Sequence, residues 1–222
     1  MPRKAGVSQR SHLLAAALDY ARTSEAPDFS LRELAAAIGT SHRMLVYHFG
    51  SREGLLIEIV RSFEAEQSVK VSALLDDNTR PLMERLQEVW RGFISPEMRP
   101  REKLFFEIYG YALQGKEDTR EFLQDLVDAW LAPLEIVAEK IGVDPDERRS
   151  SAGLFLAVTR GLLLSLLASG NLHDVEATMQ HFLENYVPLR AYAKTAAEAG
   201  DKSASQGAGK RARPGGNAHR TR

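Results

Sequence analysis

Between Ser41 and Phe49 the chain places His42, Arg43, Val46 and Tyr47 at helical spacing on one side, and Leu45 and Phe49, four residues apart, on the other, with Ser41 and His48 beside them. An arginine can donate two hydrogen bonds to a guanine edge, and small or apolar groups can touch a thymine methyl. A short helix with this outward row has the chemistry to read a DNA duplex, and Arg43 is the first candidate for base contact. Catalytic constellations are missing from the sequence. It has no Glu-x-x-His pair for a di-iron bundle, no Gly-x-Ser-x-Gly elbow and no phosphate-cradling glycine loop. His181 and Glu184 share a helix face, but one such pair more often sits in solvent than on a metal. The chain is read as a non-enzyme with no metal and no cofactor.

The elements that hold this row are punctuated in the sequence. Ser30 and Glu33 have the spacing of a reciprocal capping box, followed by Leu31, Leu34, Ala35 and Ile38 on one apolar face. Gly39 ends that helix where a left-handed residue is needed, and Thr40 or Ser41 caps the next one. Two short helices around a glycine turn form a helix-turn-helix. Any pair of such helices gives this pattern, so the spacing alone leaves DNA binding open.

The run GTSHRMLVYHFGSREGLL, residues 39–56, resembles the DNA-binding signature of the TetR (tetracycline repressor) family, with the similarity extending over roughly residues 8 to 60. The resemblance implies that Thr40, Ser41, Arg43 and Met44 face bases, and that Tyr47, His48 and Arg52 hold phosphates, which position without specifying. Ser30 and His42 complete the set of DNA-facing candidates. The sequence departs from the family pattern in placing Val46 after the inward leucine and its tyrosine one position later, so either Tyr47 takes the phosphate role or the helix sits slightly differently in the groove.

Across 222 residues the net charge is −1, distributed unevenly: +3 over residues 1–52, −9 over 53–193 and +5 over 194–222. An acidic body repels DNA, so the basic N-terminal part is expected to dock, with residues 1–10 (Arg3, Lys4, Arg10) either a flexible basic arm or a solvated terminus. With no cysteine, disulfides and thiolate metal sites are excluded and a cytoplasmic setting fits. The N-terminus does not read as a signal peptide, since Asp19 and Arg22 interrupt its apolar stretch. The most apolar segment, 153–168, contains Arg160 and is shorter than the roughly 20 residues of a membrane span, so no transmembrane helix is expected.

The organisation expected is all-α: a three-helix DNA-binding domain over 11–56, a helical ligand-binding and dimerisation domain over 57–193, and a disordered basic tail over 194–222. A helix from near Ser51 to about Leu75 is the expected lever between the two domains. Asp144-Pro145-Asp146-Glu147 reads as a helix start with Asp144 as its cap. Gly153, Ala157, Gly161 and Ser165 form a small-residue stripe, and Val175, Met179, Phe182 and Tyr186 a coiled-coil-like seam. Both suit a homodimer interface, and both could instead complete the subunit's own core. Trp90, Phe93, Phe105, Phe106, Tyr109, Trp130 and Phe155 are numerous enough to line a cavity or to fill one. The resemblance implies a ligand pocket there, and this lining suggests a small apolar or aromatic effector with Tyr109, Arg160 or His173 as polar anchor. The resemblance also implies a repressor that leaves a palindromic operator when its ligand binds. The alternatives are a helical protein–protein adaptor and a bundle enzyme without a recognisable motif.

Overall fold

The computed structural model describes residues 3–23, 29–115 and 119–186, and every regular element in them is helical. Helix α1 is Arg3–Thr23, α2 Leu31–Ala37, α3 His42–Phe49, α4 Arg52–Asp76, α5 Leu82–Phe93, α6 Arg99–Ala112, α7 Thr119–Lys140 and α8 Arg148–Ser169. Helix α9 covers the described residues 172–186.

The N-terminal boundaries follow from local chemistry. Ser30 Oγ accepts the Glu33 amide at 3.2 Å while Glu33 returns a carboxylate oxygen to the Ser30 amide at 2.7 Å, closing the capping box at α2. Gly39 adopts φ +71°, and the Thr40 amide reaches back to the Ala35 carbonyl at 2.9 Å, a Schellman-type stop that an L side chain would strain. Ser41 then caps α3 and Ser51 caps α4, accepting the amides of Met44 at 3.2 Å and Gly54 at 3.0 Å. Each such cap contributes on the order of 1 kcal/mol.

Two apolar cores are joined by α4. Its first half (Leu55, Leu56, Ile59, Val60, Phe63) packs with Leu13 and Ala17 of α1, Leu34 of α2, Leu45 and Phe49 of α3, and Leu104, Phe105, Ile108 and Phe122 of α6 and α7. Its second half (Val71, Leu75) belongs to the core formed by Trp90, Trp130, Phe155, Leu163, Val175, Met179 and Leu183. The division expected at residues 56/57 therefore falls inside a continuous helix, and one core crosses it.

Other expectations are corrected. Residues 1–10 were read as a flexible arm, but the chain is helical from Arg3, and Arg10 is tied down: it pairs with Glu58 at 3.0 Å and lies over the Phe49 ring. Asp144 makes no side-chain cap bond, and Pro145–Glu147 form a single 3-10 turn before α8. With that turn, α8 is long and apolar enough by length and composition to span a membrane, because the helix starts before the apolar run does. Its inner face (Ala152, Phe155, Leu156, Leu163, Leu166) is core, the arrangement of a helix built into the fold. The expected tail, 194–222, and residues 187–193 lie outside the described residues.

Candidate nucleic-acid interface and ligand cavity

Helix α3 is anchored from below. Leu45 is fully buried and Phe49 nearly so, while His42, Arg43, Val46 and Tyr47 are exposed, Val46 at 37% and Tyr47 at 78%. Apolar and aromatic surface is thus left open on the same side of this short helix as Arg43. Arg43 makes no side-chain hydrogen bond or ion pair among the described residues, so its guanidinium is free to engage a base edge or phosphate. Thr40 and Met44 are half-buried at the edges of this face.

The remaining DNA-facing candidates lie elsewhere. Ser30 and Ser41 are exposed, but both hydroxyl oxygens accept cap bonds. His48 is half-buried between Tyr47 and Phe49, with a buried Nε2 that has no hydrogen-bond partner. Arg52 turns inward, a correction to its expected phosphate role: Nε donates to the Phe29 carbonyl at 3.0 Å and an NH group pairs with Glu107 of α6 at 3.0 Å. It thus fastens the start of α4 to α6. The sequence reading passed over Gly54, where a Cβ would run into the Phe49 carbonyl oxygen. That close approach fixes α3 on α4.

A partly open cavity lies between α4, α5, α6, α7, α8 and α9, with about 740 Å³ of empty space when the open solvent at its mouth is counted. Of the aromatic candidates, Trp90, Phe93, Phe105, Phe106, Trp130 and Phe155 line it, as does Arg160. Tyr109 sits just outside, stacked on Phe105 at 5.6 Å between centroids, and lines a neighbouring surface groove. Two carboxyl groups missed by the sequence reading, Glu64 and Glu102, complete the lining. Glu64 accepts a 2.7 Å hydrogen bond from Trp130 Nε1. Burial raises its pKa, against the lowering effects of Trp130 and Arg160. Burial, with the Glu64 charge adding to it, pushes Glu102 up to about 8. The Arg160 guanidinium lies over the Phe105 and Tyr109 rings and points an NH group at the Leu126 carbonyl at 3.4 Å; burial lowers its pKa. The signal for both acids lay in periodicity: Glu64 follows Val60 by four and precedes Val71 by seven, and Glu102 precedes Phe105, Phe106 and Tyr109 on one face.

On the outer side, Leu154, Ala157, Gly161, Leu164 and Ser165 are exposed and Gly153 is half-buried. Val175 and Met179 are buried in the subunit's own core, which corrects their reading as interface residues; Phe182 and Tyr186 are half-buried and stacked on each other. The four-and-three spacing was real but partly served an intramolecular contact.

The comparisons fit this anatomy. No curated protein is matched. Among solved structures, a TetR transcriptional regulator from Legionella pneumophila is similar at 18% identity and TM-score 0.60, covering 79% of this chain and 95% of its own. The multidrug binding protein EbrR, complexed with imidazole, is similar at 22% and 0.57, covering 86% and 93%. A regulator from Saccharomonospora viridis in complex with choline is similar at 19% and 0.61, covering 81% and 97%. At these identities the likeness is one of fold. Residues 13–59, which hold the capped turn and the α3 face, match the family described as bacterial regulatory proteins, tetR family. That helix-turn-helix segment is thus similar to the tetR family, and the all-helical body around it has the fold of the regulators named above.

Proposed function

We propose that the protein is a homodimeric repressor in the cytoplasm whose two α3 helices enter successive major grooves of a palindromic operator, and which leaves the DNA when a small molecule occupies the cavity. The observation that carries this reading is the double role of α4. Its start holds α3 through the Ser51 cap and the Gly54 contact, and Glu64, Val71 and Leu75 farther along line the cavity. Twenty-five residues at about 1.5 Å each give about 37 Å of rigid rod, so a tilt at the cavity end is felt at the reading head. The Arg52–Glu107 pair adds a second connection, because α6 also contributes Glu102, Phe105 and Phe106 to the cavity.

The exposed face of α8 supplies a surface for the second subunit, with Gly161 and Ala157 permitting close helix approach. Two recognition helices about 34 to 36 Å apart then read two half-sites one DNA turn apart. Choline and imidazole, held by two similar proteins, support the cavity as the effector site. Ligand and DNA are then coupled reciprocally, each weakening the other. Footprinting of chromosomal fragments by the purified protein tests the reading. A protected stretch with twofold symmetry, lost as salt rises from about 50 to 200 mM, is expected. Absence of any protection at the lower salt overturns it.

A further inference from the structure

The aromatic lining of the cavity suits a hydrophobic molecule, but its charges do not suit a neutral one. Two carboxyl groups and one guanidinium face the same space; Arg160 engages the ring faces, Tyr109 and the Leu126 carbonyl, and acts on both carboxyls through its charge without a direct ion pair to either. Glu102 is only 8% exposed and has no hydrogen-bond or ion-pair partner among the described residues. Trp90, at 6% exposure, has a buried Nε1 that is likewise unpartnered. A buried carboxylate without a partner is costly, so the group keeps its proton until something supplies a counter-charge.

We propose that the cavity binds an organic monocation, its charge lodged at the Glu64 and Glu102 carboxyls and its hydrophobic body against Trp90, Trp130 and Phe105. The inference narrows the effector class and rests on the cavity being the effector site. Aromatic faces attract a cation through their negative π surface, most strongly when water is excluded. With both carboxyls ionised and Arg160 charged, the site carries one excess negative charge, which a monocation neutralises. A dication or an anion leaves it unbalanced.

The protonation chemistry follows. Without a cation, burial and the Glu64 charge keep Glu102 protonated at neutral pH. The groups that bear on it are Glu64 from α4 and Arg160 from α8, the latter itself hydrogen-bonded to Tyr109 of α6; α5 and α7 present the uncharged Trp90, Phe93 and Trp130 to the cavity. Arrival of a positive charge favours the carboxylate, so the proton leaves Glu102 for solvent as the cation enters. Binding therefore releases about one proton near pH 7 and tightens as pH rises toward 8.

The protein's two tryptophans both line the cavity, so their fluorescence reports occupancy directly. The full-length protein is titrated with benzyltrimethylammonium and with neopentylbenzene, its neutral carbon isostere. The expected result is about tenfold or greater preference for the cation, with proton release in calorimetry performed in two buffers of different ionisation enthalpy. Glu102→Gln and Glu64→Gln are each expected to lower cation affinity about tenfold or more while leaving the isostere unaffected. Unchanged isostere binding also shows that the variant cavity is intact. Equal or better binding of the isostere, no proton release, no loss in either variant, or no tryptophan response to either probe at millimolar concentration overturns the proposal. DNA affinity is read separately. Cation binding that leaves it unchanged supports the site and overturns its role as the effector site.

Discussion

At the scale of single residues, two side chains dominate the account. Arg43 stands free on α3, and its replacement by alanine is expected to weaken operator binding by about 1 to 3 kcal/mol and relax sequence preference. An anisotropy titration with specific and scrambled duplexes checks this, and unchanged discrimination contradicts it. Arg52, committed to Phe29 and Glu107, separates the phosphate reading from the structural one. Arg52→Ala is expected to leave the salt dependence of DNA binding unchanged, whereas loss of a phosphate contact lowers the log–log slope by about one. Glu102 makes a third prediction. Its folded pKa, about 8, exceeds the ordinary carboxyl value of 4.5, so the native state keeps a proton the unfolded chain has lost. Its contribution to stability is complete below pH 4.5 and disappears as pH rises to about 8, at up to about 1.4 kcal/mol per pH unit. Denaturant unfolding at several pH values is expected to show that decline in the wild type and a flatter profile in Glu102→Gln. Parallel profiles contradict the buried proton.

At the scale of elements, what could be read in advance was what is local. Ser30 with Glu33, Gly39, Ser41 and Ser51 each act within four residues of themselves, so the ends of α2, α3 and the start of α4 were legible from the sequence. The inward turn of Arg52 was not, because Glu107 lies 55 positions away. The cavity aromatics were legible as a set, while Glu64 and Glu102 were not, because only the neighbouring helices that cover them distinguish them from the acids on a solvated face. The seam on α9 was ambiguous for the same reason, since a helical stripe does not say which surface it faces. Gly54 tests the α3–α4 junction. Gly54→Ala introduces a Cβ against the Phe49 carbonyl and is expected to destabilise the fold by about 1 to 3 kcal/mol, although alanine is the better helix former. A raised melting temperature contradicts that junction.

At the scale of the whole molecule, the proposed dimer reads DNA and senses a ligand through where its two copies of α3 are held. The α8 face sets that spacing in this account, and Gly161 gives it a clean test because a Cβ there meets nothing within the subunit. Gly161→Leu is expected to leave the monomer folded and shift sedimentation from dimer to monomer, with loss of specific DNA binding. A dimer of undiminished stability contradicts the assigned face. The most direct test of the central claim is selection of bound duplexes from a random-sequence pool by the full-length protein at low salt. The account predicts recovery of an inverted repeat whose half-sites lie about one helical turn apart, roughly 10 base pairs. A pool with no enriched sequence, or one enriched for an unrepeated motif, contradicts it.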